Sequence, residues 1–324
     1  MPTPADSFKQ FDYSLRPSKQ VERKMMIEIL LKLSQAGYRI NEYRYVGFGS
    51  VYYVDFVMFH KYLFIEDMTC IEWSQIPKRM KFNKPFKFID LKLQPLALYI
   101  PAMNVNRKYL AWFDYDRALD PDMLQDIDGG LVRMAPGSVF IVTVDARPKL
   151  PKDLFPNLDI DAMTALEREN FTIDAYKDWF QAYRDVEISG ADISGPHAVP
   201  LFYQIVRARI DETLASRGLM FLQLFNYIYR DGAPMLTVGG MLGTKDDQIR
   251  LRDAGILNLR FVRRQPKSLR ISVPPLTIRE KYWLDSRLDP NLAVAHLAFE
   301  LERDLLKNYK NFYREYPTYI ETML

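Results

Sequence analysis

The residues that could do chemistry lie in a few short stretches. Gly47-Phe48-Gly49-Ser50 separates two apolar runs, YRYV before it and VYYVDF after it. Glycines one residue apart let the backbone turn tightly and let a ligand approach the main chain. Glu72 closes TCIE, 23 residues after Gly49. That is close to the roughly 20-residue spacing at which an acid accepts the ribose hydroxyls of a nucleotide held by such a turn. Asp90 closes FKFID, and Asp114-Tyr115-Asp116 closes YLAWF. Each piece alone also reads as an ordinary tight turn or a solvated strand end. Their order and spacing favour a cleft for a nucleotide-type cofactor. Asp114 and Asp116 add groups able to take a proton from a hydroxyl acceptor. Carboxylates this close repel, which raises the proton affinity of one of them unless it is paired.

These residues need elements to position them. Strand-like runs are predicted at 43–46, 69–73, 86–90, 109–114 and 138–145, with helical or loop segments between, as at 51–62. Strands alternating with helices predict a parallel sheet with crossovers. SVFIVTVD is apolar without alternation, which predicts burial on both faces. An amphipathic helix is predicted over 18–38, ahead of the first strand, with Gly37 as its C-cap. Residues 147–197, rich in proline and acids, read as an insertion that is helical around 172–186. A helix is predicted over 201–216. LMFLQLFNYIY and MLTVGGML, joined by RDGAP, predict an antiparallel hairpin. The tail ends in a helix predicted from about 291. The expected organisation is an N-terminal helical segment (1–42), a cofactor-binding α/β domain (43–242) and a C-terminal extension (243–324).

The totals exclude several classes. The chain has 324 residues, 48% hydrophobic and 26% charged, enough for a sizeable core. A lone cysteine, Cys70, excludes an internal disulfide framework and a cysteine zinc cluster. His60, His197 and His296 show no ligand spacing, so no metal site is assigned. No apolar run reaches the ~18–20 residues that span a bilayer, and the N-terminus lacks a signal-peptide pattern. A cytoplasmic location is expected, with no membrane partner.

The cofactor can be narrowed. A dinucleotide fingerprint wants a third glycine, where this chain has Tyr52. Five alternating units followed by an antiparallel hairpin instead resemble S-adenosylmethionine (SAM)-dependent methyltransferases, over about 43–242. LRPSKQVERKM, VGFGSVYYVDFVMFHKYL, IEW, AWFDYDRALDPDML and PGSVFIVTVDARP further resemble a bacterial family described as putative O-methyltransferases. That resemblance implies a Rossmann-like class I methyltransferase sheet with SAM as cofactor. It implies that Gly47, Phe48, Gly49 and Ser50 hold the amino-acid end of SAM. Glu72 would hold the ribose and Asp90 the adenine, with Tyr115 also against the cofactor. Asp114 and Asp116 would face the transferred methyl group as catalytic residues. The sequence departs from the superfamily pattern at Tyr45, where an acid is common, and at Val51, where a third glycine is usual. The Asn/Asp-Pro-Pro-Tyr box of amino-group enzymes is absent, so oxygen and nitrogen acceptors both stay open. Arg16 and Lys19 are either solvated bases or a clamp on the cofactor carboxylate.

Two basic stretches contain no acid, 77–87 (PKRMKFNKPFK) and 258–270 (NLRFVRRQPKSLR). Each reads as a solvated face or as a nucleic-acid contact. The net charge of +3 does not decide between them. The rival to an active enzyme is an inactive relative, a SAM- or nucleic-acid-binding module within a larger assembly.

Overall fold

The fold comes from a computed structural model, which describes residues 16–73, 76–148, 159, 162–180, 188–193 and 198–317. Helix α1 (Pro17–Gln35) precedes the sheet. It has no side-chain cap of its own. The carboxylate of Asp231 accepts from the backbone N–H groups of Ser18 and Lys19, at 3.2 and 2.9 Å. An acid from more than 200 residues away thus satisfies donors that a helix start leaves open.

Strands β1 (Arg44–Phe48), β2 (Met68–Ile71), β3 (Ile89–Lys92), β4 (Tyr109–Ala118) and β5 (Val139–Asp145) run parallel. Helices α2 (Val54–Leu63), α3 (Pro77–Phe82), α4 (Leu96–Tyr99) and α5 (Pro121–Arg133) alternate with them. The inserted region contains α6 (Ala165–Phe180), and α7 (Val199–Ala215) follows it. Strands β6 (Met220–Asp231) and β7 (Ala233–Gly243) form the hairpin. Gly232 alone bridges them, at φ +113, which a side chain would resist. The strand order is β3-β2-β1-β4-β5-β7-β6-β8, with β7 antiparallel between β5 and β6. This is the Rossmann-like methyltransferase layout expected. The short β8 (Leu269–Arg270), parallel to β6, was not expected.

Every residue of β5 is buried, as a strand covered on both faces requires. One apolar cluster joins the buried side of α1 and α2 to the sheet. The other joins α5 and α7 to its opposite face. The N-terminal helix therefore shares a core with the sheet.

Some boundaries move. The insertion helix occupies 165–180 rather than 172–186, and 181–187 lie outside the described residues, as do residues 1–15 and His197. The tail forms α8 (Lys245–Asp253), α9 (Ile278–Ser286) and α10 (Arg303–Phe312). Its last helix starts at 303, not 291, since the chain forms only a single tight turn at Val294–His296 before it, and Leu284, Leu306 and Tyr309 pack as a separate small cluster between two short helices. Among the described residues, no helix is long and apolar enough to cross a membrane.

Candidate active-site cleft

A cleft of about 860 Å³ opens beyond the carboxyl ends of β1, β2 and β4. Phe48, Gly49 and Ser50 form its wall at β1, Glu72 at β2, and Asp114, Tyr115 and Asp116 at β4. The structure thus brings seven of the residues singled out from sequence to one concavity. Gly47 and Asp90 stay outside it.

The glycines do not form the turn itself. Gly47 lies within β1, and α2 starts only at Val54. Neither Gly47 nor Gly49 has a positive φ. A Cβ on Gly47 would come within 2.6 Å of Cζ of Tyr45, and one on Gly49 would strike Sγ of Cys70. Their missing side chains make room for close packing beneath the cleft floor. This accounts for the aromatic at position 45. Tyr45 is buried and packs edge-on against Phe56 and Phe59, both at 4.8 Å, so it wedges β1 against α2. The turn needs its left-handed residue later, at Tyr53 (φ 48, ψ 32). Its hydroxyl donates to the carbonyl of Met80 at 2.9 Å, tying the start of α2 to α3.

Asp90 is a correction. It is the second residue of β3, pairs in register with Thr69, is exposed, and bonds Lys92 at 3.0 Å. The strand runs on to Lys92, so the polar residue that reaches the cleft is Gln94. FKFID looked like a strand end because its apolar run stops at Asp90. The last turns of an edge strand can be polar on its exposed side.

Glu72 is half-buried, and its carboxyl is raised to about 7 by burial first and by the nearby charge of Asp116 second. Tyr115 is buried on the other side of β4, where its hydroxyl donates to Asp126 at 2.7 Å. Burial raises Asp126 as well. Arg117 pairs with Asp120, the N-cap of α5.

Asp114 meets the N-terminal helix. Its Oδ1 receives the ammonium of Lys19 at 2.8 Å. Lys19 is 2% exposed, reaches Glu22 at 3.0 Å and lies 4.2 Å from the Trp112 ring centroid. Behind it, Trp112 Nε1 donates to Thr143 Oγ1 at 3.0 Å, and Thr143 and Thr237 hydroxyls lie 2.8 Å apart. Thr237 donates to Glu22 at 2.5 Å. A hydroxyl has one proton, so Thr143 must donate to Thr237. All donors in this chain point toward the Glu22 carboxylate. Burial raises Glu22 most, while Lys19 and Thr237 pull it back.

Arg23 was missed from sequence. It is 2% exposed on the cleft wall. Its Nε donates to Asp55, in the first turn of α2, at 2.5 Å, and its buried Nη1 has no hydrogen-bond partner. Burial opposes its charge, but Asp55 more than restores it. The signal was present: Arg16, Lys19 and Arg23 recur at intervals of three and four, one face of the helix. Arg16 also lines the cleft, whereas Lys19 is committed to Asp114 and Glu22.

The basic stretches part company. Residues 77–87 form α3 and the approach to β3, and Ile76 and Met80 line the cleft. In 258–270, Phe261 and Val262 are buried, and the backbone is pinned to β6 through Arg263 N to Leu224 O at 3.0 Å. They serve opposite ends of a sheet whose eight strands span about 34 Å. No group of three or more potential metal-ligating residues occurs among the described residues. Asp145 is held by the guanidinium of Arg147 at 2.5 Å.

A family model described as Putative O-methyltransferase matches residues 11–324. A sequence comparison with curated proteins finds no match. Among solved structures, the chain is similar to Trm1 from Pyrococcus horikoshii in complex with S-adenosyl-L-methionine. That likeness has 12% identity and a TM-score of 0.44 and covers 72% of this chain and 57% of that one. The chain thus corresponds to little more than half of that protein's length. It is also similar to the O-methyltransferase TomG from Streptomyces achromogenes (15% identity, TM-score 0.35, 74% of this chain and 96% of that one). The N-methyltransferase NodS from Bradyrhizobium japonicum is similar at 11% identity and TM-score 0.35, over 69% of this chain and 97% of that one. Since the family model spans nearly all of the sequence, the chain belongs to the family described as Putative O-methyltransferase.

Proposed function

We propose that the cleft binds SAM and directs its methyl group to a hydroxyl oxygen of an acceptor. The observation that carries this reading is Arg23 Nη1, buried and unpartnered on a wall rich in carboxylates. A buried donor left unsatisfied costs about 1–3 kcal/mol, and more when charged. Nη1 is shielded from solvent, so the Arg23 side chain must turn toward the cleft for the carboxylate of the cofactor's amino-acid end to supply the missing acceptor. The cleft volume of about 860 Å³ falls within the roughly 300–1,000 Å³ of small-molecule sites.

Bound SAM supplies an electrophilic methyl on a sulfonium centre. The chain's own residues bind and orient. Phe48, Gly49 and Ser50 lie against the amino-acid end with Arg23. Glu72, as a carboxylate, accepts the ribose hydroxyls, and Gln94, in place of Asp90, faces the adenine. Tyr115 supports the wall through Asp126. Holding donor and acceptor in line supplies most of the rate. Asp114 then takes the acceptor's hydroxyl proton. Lys19 holds its Oδ1, leaving Oδ2 for the acceptor. Asp116, beside Glu72, serves the same end of the cleft. We assign the enzyme to a bacterial cytoplasm, on the family resemblance and on its lone, buried Cys70.

The test is calorimetric titration with SAM and S-adenosylhomocysteine, on the wild type and on Arg23→Lys. Lysine keeps the charge but loses the fork that serves Asp55 and a ligand together. Affinity should fall about tenfold or more with the thermal transition largely kept. Absence of binding to the wild type would overturn the assignment.

A further inference from the structure

The segment leaving Glu72 is unlike the cleft it borders. Residues 73–89 hold five Lys/Arg and no Asp or Glu. Trp73, at the cleft mouth, is 71% exposed, and Phe82 is 88% exposed. At 100° per residue, Lys78, Lys81 and Phe82 share one side of α3, and Met80 lies opposite. Met80 is buried and lines the cleft. So α3 walls the cleft with one face and shows solvent a face that is cationic and aromatic. Lys78, Lys81 and Lys87 are exposed and form no ion pair among the described residues. Lys84 is different, since its ammonium is spent on the Ile89 carbonyl at 2.9 Å.

The cleft has the opposite character. Six carboxylates (Asp55, Glu72, Asp114, Asp116, Asp122 and Asp126) line it against three guanidiniums (Arg16, Arg23 and Arg117). Away from Arg23 a phosphate is disfavoured there, and it is favoured on the outer face of α3. A strand of nucleic acid satisfies both, with phosphates on the lysines of that outer face, a base on Phe82, and the following nucleotide crossing the end of α3 so that its ribose turns into the cleft. Exposed aromatics beside a cationic track suit single strands, whose bases are free to stack. An oxygen acceptor adds a further condition. RNA carries a free 2′-hydroxyl on each ribose, and DNA does not.

We propose that the outer face of α3, with Lys78, Lys81, Phe82 and Lys87, docks single-stranded RNA whose hydroxyl is the methyl acceptor. This rests on the methyltransferase reading for the acceptor but not for the docking.

The test is fluorescence anisotropy of the full chain with a fluorescein-labelled 12-nucleotide single-stranded RNA, between 50 and 200 mM salt. Contacts from three lysines give a log–log salt slope of about −2, so affinity falls roughly 20-fold over that range. Lys78→Ala/Lys81→Ala should bring the slope to about −0.7. Phe82→Ala should weaken binding about tenfold with the slope unchanged. Absence of binding at 50 mM salt, or binding that neither variant changes, overturns the docking face. The latter result would move the strand to another basic surface. SAM titration of the same proteins separates the two readings. Lys78→Ala/Lys81→Ala that keeps SAM affinity but loses RNA supports the face. SAM binding without RNA binding sinks only the docking. RNA binding without SAM binding sinks only the methyltransferase.

Discussion

Glu72 offers the sharpest test, because its environment and its proposed task pull in opposite directions. Burial and Asp116 raise its carboxyl to about 7, against an ordinary value of 4.5. Ribose hydroxyls would donate to the carboxylate, so SAM binding requires the deprotonated form. Linkage then sets the size of the effect. If only the carboxylate binds, the apparent dissociation constant scales as one plus 10 to the power (pKa − pH), and SAM binds about tenfold more weakly at pH 6 than at pH 8. Binding should release about half a proton at pH 7 and about 0.1 at pH 8. Titration calorimetry in two buffers of different ionisation enthalpy measures both. Stability runs the other way. A carboxyl whose folded value is raised stabilises the fold below its unfolded value, and that contribution is lost as pH rises through about 7. Glu72→Gln should therefore unfold at higher denaturant at pH 8, by about 2–3 kcal/mol, the full shift being discounted for partial exposure. The same variant should bind SAM more weakly and without dependence on pH. Flat SAM affinity from pH 6 to 8 with no proton release in the wild type would refute the assignment of Glu72 to the ribose.

The other outcomes test the wall and the floor of the cleft. Lys19→Met strands Glu22 and Asp114 without their shared cation and should destabilise the fold by roughly 3–5 kcal/mol in urea unfolding. Asp114→Asn should leave SAM affinity nearly intact in calorimetry and abolish transfer once an acceptor is in hand; retained transfer would remove it as the base. Gly49→Ala should cost about 1–3 kcal/mol by driving Cβ into Cys70 Sγ, and adding Cys70→Ala, whose Cβ lies 3.9 Å away, should restore most of that in thermal melts. Asp90→Asn should not change SAM affinity, whereas Gln94→Ala should weaken it; the reverse pattern would return the adenine to Asp90.

Much of this molecule is legible in local pattern. The β-branched run 139–145, the alternation of strands and helices, and the hairpin with its Asp-Gly turn are written in neighbouring residues. Periodicity and turn chemistry act over a few positions, so they survive in one dimension. Glu72, just after β2, and the acids in the last part of β4 were readable for the same reason. What only the tertiary structure decided depends on groups far apart in sequence. The need for glycine at 47 and 49 comes from Tyr45 and from Cys70 on the next strand, not from the turn. Asp231 caps α1 from 213 residues away. Arg23 looked like one more base on an amphipathic helix until α1 was packed on the sheet. Burial then paired two of its nitrogens with Asp55 and left the third buried without a partner. Asp90 was misplaced because an apolar run marks where burial ends, and at the edge of a sheet that is not where the strand ends. Charge and spacing name the candidates, but desolvation selects among them, and desolvation is set by the packing of the whole chain.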